Sequence, residues 1–127
     1  MKLNPDLIRD ILLTVEEKCD FDNGMEYLVN QNHFDLLKKY PHDEITYHIR
    51  QCDDNELICG VHYYENGQNI IIRDLTPRGH EFISNIRDSG NWYRIKNHAK
   101  SIGSFSLNTL QQIAINVISS AISNTKF

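Results

Sequence analysis

Apolar residues near the start of the chain fall into one regular stripe. Leu7, Ile8, Ile11, Leu12 and Val15 recur at 3.6-residue spacing, which lines a single helix face. Asn4-Pro5-Asp6 starts that helix, because Asn caps well, Pro suits the first helical position and Asp suits the positive end of the dipole. The pattern predicts a helix over about residues 5–19, fading near Cys19 ahead of the turn-like Asp20-Phe21-Asp22-Asn23-Gly24. Residues 25–29 read as a short strand. Residues 30–40, with Phe34, Leu36, Leu37 and Tyr40, fit either a helical turn or a packed loop.

A second helix is predicted over residues 43–54, with Ile45, His48, Ile49 and Cys52 on one face, His42 or Asp43 near its cap, and Asn55 closing it in the left-handed conformation. Two β-rich runs follow, 57–64 and 69–75, around Asn66-Gly67, a strong hairpin signal whose type I′ turn needs positive φ at both central residues. Thr76-Pro77 then opens a helix over 77–89 with Phe82, Ile83 and Ile86 inward, stopped by Asp88-Ser89-Gly90. A short helix over 91–99 ends at Ile102-Gly103-Ser104. Ser106 caps a last helix over 106–123, whose stripe is Leu107, Leu110, Ile113, Ala114, Val117, Ile118 and Ala121. Leu7, Ile11, Ile49, Ile71, Phe82, Ile83, Trp92, Leu110 and Ile113 are the expected core. Helix, short strand, helix, hairpin and trailing helices make an α+β chain. The expected architecture is a single winged-helix-like domain with a two-stranded wing over about 57–75 and additional C-terminal helices.

Several stretches resemble a family. They are Ile45-Thr46-Tyr47-His48-Ile49 leading to Leu57-Ile58, Leu75-Thr76-Pro77-Arg78-Gly79-His80-Glu81-Phe82, Ile86-Arg87-Asp88, Trp92, and Gly103-Ser104-Phe105-Ser106-Leu107. Together they resemble a group of small phage and prophage proteins catalogued as a domain of unknown function and similar to winged-helix proteins. The resemblance spans roughly residues 5–120. It implies the fold and a phage or prophage origin, and it brings no activity and no catalytic residues. The chain departs from the pattern where Gln51-Cys52 and Asn55-Glu56 stand in place of Leu-Leu and an Ala-Gly turn. The end of the second helix is therefore more polar and more acidic than the family's.

Composition changes little in that picture. The 127 residues, 40% hydrophobic and 24% charged, suit an ordinary globular chain rather than a disordered one. Cys19, Cys52 and Cys59 are too few and odd in number for a disulfide framework, and residues 1–6 lack the apolar core of a signal peptide. No apolar run approaches a membrane span, so a cytoplasmic protein is expected. Charge is more informative. The net is −4, but residues 1–60 carry 13 acidic and 6 basic side chains, whereas residues 61–127 carry 4 and 7.

No pattern points to catalysis or a cofactor. His48, Cys52, Cys59 and His62 formally make a zinc set, yet His48 and Cys52 share the apolar stripe with Ile45 and Ile49, which favours burial over metal binding. Cys52 precedes Asp53-Asp54, a poor setting for a reactive thiolate. Glu16-Glu17 and Asp53-Asp54 diverge around their helices, and no phosphate-binding Gly-rich loop is present. Gly79 and His80 are expected to pack their helix on the sheet, with His80 in a buried hydrogen bond.

A non-enzymatic binding protein is the expectation, in one of two forms. A protein-interaction module would use Asp43, Glu44, Asp53, Asp54 and Glu56. A DNA-binding regulator would use Thr46, Tyr47, Arg50 and Gln51 on the second helix, with Asn66, Gln68, Asn69 and Arg73 from the wing. Residues 43–56 hold five acids against Arg50 alone, which works against phosphate contact and favours the first form. Arg73, Arg78, Arg94, Lys96 and Lys100 could supply a basic patch in the later half. The last helix carries one charge, Lys126, across 106–127, which is compatible with a homodimer contact.

Overall fold

The computed structural model describes residues 1–123 and has an α+β architecture. Among these residues five α-helices accompany a three-stranded antiparallel sheet and a two-stranded one. The order is α1 (Pro5–Lys18), β1 (Met25–Leu28), a 3-10 turn (Val29–Gln31), α2 (His42–Asp54), β2 (Ile58–Cys59), β3 (His62–Tyr64), β4 (Asn69–Ile72), β5 (Asp74–Leu75), α3 (Pro77–Ile86), α4 (Ser89–Ile102) and α5 (Leu107–Ser123). Residues 35–39, left open by the sequence, form turns, and Leu37 N–H donates to Phe34 O.

The caps explain most helix ends. Asn4 Oδ1 accepts from Asp6 and Leu7 N–H, Thr76 Oγ1 from Gly79 N–H, and Ser106 Oγ from Thr109 N–H. Asp88 differs from expectation. Rather than stopping α3, it caps α4 by accepting from Asn91 N–H at 2.8 Å, so α3 is shorter and α4 longer than predicted. At α2 the cap is Pro41, with no side-chain hydrogen bond, and the left-handed residue past its end is Glu56 (φ 59) rather than Asn55 (φ −90).

The strands β2 to β5 form one kinked hairpin. Ile58 faces Leu75, Cys59 faces Asp74, and the same register resumes from His62 opposite Ile71 to Tyr64 opposite Asn69. The kink lies at Gly60 (φ 60) and Arg73, where a Cβ on residue 60 would sit 2.6 Å from Arg73 Cβ. The tip is the expected left-handed pair, Asn66 (φ 57) and Gly67 (φ 87), with Gln68 N–H donating to Glu65 O. Glu65 also has positive φ (51). β1 adds to the other side of β4, pairing Met25 with Ile72, and Val29 N–H donates to Gln68 O.

A continuous core joins α1, α2, the inner face of the sheet and α3 to α5. Of the expected core residues, Ile71 is the exception. Strand alternation buries Ile70 and Ile72 and leaves Ile71 half-buried. The α5 stripe also fails part-way. Leu107, Leu110, Ile113 and Ala114 are buried, Val117 and Ile118 are only half-buried, and Ala121 is exposed, because α5 runs past the elements it packs on. Lys126 lies outside the described residues.

Candidate functional site

The polar face of α2 forms the floor of a groove. Asp43, Thr46, Tyr47 and Arg50 follow one another three or four residues apart, so they share one side of the helix, opposite buried Ile45, Ile49 and Cys52. The hairpin supplies the other wall. Gly67 packs over Thr46, 3.7 Å from its methyl to the place a Cβ would occupy, and a side chain there would also be strained by φ. Tyr63 of β3 reaches across to α2, where its hydroxyl donates to Asp53 Oδ2 at 3.1 Å. Burial first, and then the Asp53 carboxylate, push the Tyr63 phenol above its ordinary pKa, so it stays a donor. Met1 and Asn66 complete an open space of about 670 Å³.

Asp43 from the first candidate set and Thr46, Tyr47, Arg50 and Asn66 from the second thus line one groove, with Asp53 at the rim. The remaining candidates lie elsewhere. Gln51 is half-buried, and its backbone oxygen accepts from Asn55. Glu44 uses its carbonyl to hold His48. Gln68 is exposed past the tip and Asn69 is half-buried at the start of β4. Arg73 sits at the hairpin kink, donating to Cys59 Sγ at 3.3 Å. Asp54 and Glu56 are exposed at the end of α2 and just after it. Sequence reasoning missed Tyr63 and Gly67 as groove walls. The available signal was a tyrosine on a strand next to a hairpin whose glycine needs no space of its own.

The formal zinc set is dispersed among other roles. His48 donates from Nδ1 to Glu44 O at 2.7 Å, while Nε2 accepts from Asn4 N–H at 2.8 Å, so both ring nitrogens are committed and the first helix is tied to the second. Cys52 is fully buried, and burial followed by Asp53 holds its thiol well above the usual range. His62 stacks on Tyr64. Among the described residues, no three His, Cys, Asp or Glu side chains come together as a metal site. The separate later-half bases are partly engaged too: Lys96 Nζ bonds Asp6 at 2.9 Å and Arg78 Nε donates to Gln111 at 2.8 Å. His80, expected in a buried hydrogen bond, is exposed, because the helix presents Gly79 and not His80 to the hairpin.

Residues 2–106 match the family described as Hypothetical protein (DUF2513). The chain belongs to that family. It is also similar to an uncharacterized protein of Haemophilus influenzae (strain ATCC 51907 / DSM 11121 / KW20 / Rd), 31% identical over 121 residues that cover 94% of this chain and 97% of the relative. No solved structure matches. No helix among the described residues is long and apolar enough to cross a membrane. Several residues have structural tasks in this DUF2513 chain. Thr76 caps α3, and Gly79 lets that helix touch the hairpin backbone at Leu57. Arg87 pairs with both oxygens of Glu16, and Trp92 Nε1 donates to Asp6 at 2.8 Å. Ser106 caps α5.

Proposed function

We propose that this chain is a non-enzymatic winged-helix binding module of phage or prophage type, and that it holds a protein partner in the groove between α2 and the hairpin. The winged-helix reading is supported by the order α1, β1, α2, hairpin, with β1 added beside the inner hairpin strand. The phage or prophage origin rests on the resemblance alone. The observation that carries the functional reading is the state of the α2 face. A DNA reader needs that face clear and flanked by cations. Here the hairpin leans onto it through Gly67 and Tyr63, and Arg50 is the single base among Asp43, Glu44, Asp53, Asp54 and Glu56. An acidic rim around aromatic Tyr47 and Tyr63 suits a basic segment of a protein, since complementary charge steers encounter and fixes orientation.

Two measurements test the proposal. Fluorescence anisotropy with random and prophage-derived duplexes, at low and physiological salt, is expected to give no binding tighter than the ~10⁻⁴–10⁻⁶ M of non-specific contact. Tight, sequence-selective binding abolished by Arg50→Ala would establish the regulator reading instead. Crosslinking capture from host extract should recover a partner with the wild-type chain and lose it with Asp43→Lys combined with Asp53→Lys. A partner set unchanged by that double charge reversal refutes the assignment to α2.

A further inference from the structure

Where α5 packs against α3, the two helices leave a cavity of about 150 Å³ between them. Buried Phe82 and exposed Ile115 give it an apolar lining. Arg78 and Glu81 line it from α3, one turn apart on the same face. Arg78 is held in place from the other helix. Its Nε donates to Gln111 Oε1 at 2.8 Å, and Gln111 is only 8% exposed and donates its own Nε2 to Leu107 O. That bond leaves the two Nη groups of the guanidinium as a fork with no partner among the described residues. The Glu81 carboxylate has none there either, and it forms no ion pair with Arg78. A cation and an anion of the chain thus share one small cavity without neutralising each other.

We infer that this cavity binds a small zwitterion, a free α-amino acid, with its carboxylate on the Arg78 fork and its ammonium on Glu81. Volume sets the size. Pockets for drug-sized ligands measure ~300–1,000 Å³, so an occupant here has few heavy atoms and a small side chain. Charge sets the class. A carboxylate meets the Nη edge of a guanidinium through two parallel hydrogen bonds. A simple anion gains Arg78 but is repelled by Glu81, and a simple cation meets the reverse. A neutral molecule leaves both charges without a partner. A zwitterion answers both, and the roughly 5–6 Å between the Cβ atoms of residues one turn apart suits two charged groups on a single carbon. The amides of Asn85, Asn108 and Gln112 also line the cavity, carry no hydrogen bond among the described residues, and offer further donors and acceptors. Because Gln111 holds the guanidinium before a ligand arrives, little ordering of Arg78 remains to be done on binding. This inference is independent of the α2 groove.

Titration of the full chain with L-alanine, followed by nitrogen-15 NMR, reads the site directly. Saturable shifts are expected at the side-chain amides of Asn85 and Gln111 and at the Arg78 Nε–H, with a Kd on the order of 1 mM. Acetate and ethylamine, which each carry one of the two charges, should bind about tenfold more weakly or worse. Glu81→Gln, a change at an exposed position, should weaken L-alanine binding by about tenfold or more with circular dichroism and melting temperature unchanged. Arg78→Lys keeps the charge, loses the fork and should weaken it likewise. No saturable shift up to about 50 mM, well above such a Kd, overturns the inference, as do shifts that map away from α3 and α5. A Kd that either substitution leaves unchanged overturns the assignment of that residue's charge to the ligand. Acetate binding as tightly as L-alanine would make this an anion site and refute the zwitterion.

Discussion

Replacing Gly79 by alanine separates helix propensity from tertiary contact, because the two predict opposite signs. Gly79 lies in the first turn of α3, three residues after its cap. In an uncrowded helix, Gly→Ala stabilises by about 1 kcal/mol. Here the added Cβ would meet Leu57 O at 2.0 Å, Leu57 C at 3.0 Å and Leu57 Cα at 3.4 Å. All three are backbone atoms, so no side chain can swing aside. Leu57 O also accepts from Thr76 N–H at 3.1 Å, and moving it disturbs the junction between hairpin and helix. Overpacking of this kind costs ~1–3 kcal/mol, and the weakened hydrogen bond adds ~0.5–1.5 kcal/mol. After subtracting the propensity gain, the net loss is about 0.5–3.5 kcal/mol, or a melting temperature lower by roughly 2–14 °C for a chain of this length. Thermal melts by circular dichroism, with urea titrations for the free energy, give the answer. An unchanged or higher melting temperature would refute the claim that α3 rests directly on the Leu57 carbonyl.

Phe82→Ala should cost ~3–5 kcal/mol in urea unfolding, as a large-to-small change at a buried site, and a loss below ~1 kcal/mol would contradict its burial. Glu16 is held below the ordinary carboxylate range chiefly by its hydrogen bonds from Arg87, so its contribution to stability is present above the unfolded value near 4.5 and lost as pH falls through the lower folded value. Stability measured from pH 7 to pH 3 should therefore decline less steeply in Arg87→Ala than in the wild type; equal slopes would dismiss the pair. Burial first, and then Asp74, push the Cys19 thiol up to about 11, and Cys52 is sealed in the core. At pH 8 the native chain should show one readily alkylated cysteine, and Cys59→Ser should remove it, whereas fast labelling of Cys19 would contradict its packing.

The sequence was most informative where one local signal decides an element. Asn4, Thr76 and Ser106 marked helix starts, and Asn66-Gly67 marked the hairpin tip, because caps and left-handed turns are set by a few neighbouring atoms. It failed where two signals competed. Asp88 could end one helix or begin the next, and the second role won because its carboxylate reaches Asn91 N–H. Ile70-Ile71-Ile72 gives no polar contrast from which to read alternation, so the half-buried member was misassigned. The α5 stripe is regular in sequence to its end, but periodicity carries no information on where the supporting helices stop. Half of the groove was legible, namely the α2 face. Tyr63 and Gly67 joined it only through the tertiary lean of the hairpin.

Within the stretches that resemble the family, Thr46 and Tyr47 lie on the α2 groove face, whereas those after the hairpin serve the frame. Gly79, Arg87 and Trp92 hold α3 and α4 against the hairpin and α1, while Thr76 and Ser106 cap α3 and α5. Their bonds are internal, so they leave little chemistry to offer a partner. Gln51, Cys52, Asn55 and Glu56 lie on the last turn of α2 or just beyond it, next to Asp53 and Asp54. A frame built this way tolerates exchange of its α2 surface, since the polar residues of that face make few of the contacts that hold the core. Exchanging Asp53 and Asp54 together for Asn should therefore leave the melting temperature within a few degrees, with only the exposed Tyr63 hydrogen bond weakened. Partner capture should fall with the lost charge. If unfolding accompanies that exchange, α2 belongs to the frame, and the separation of scaffold from binding surface drawn from these residues is wrong.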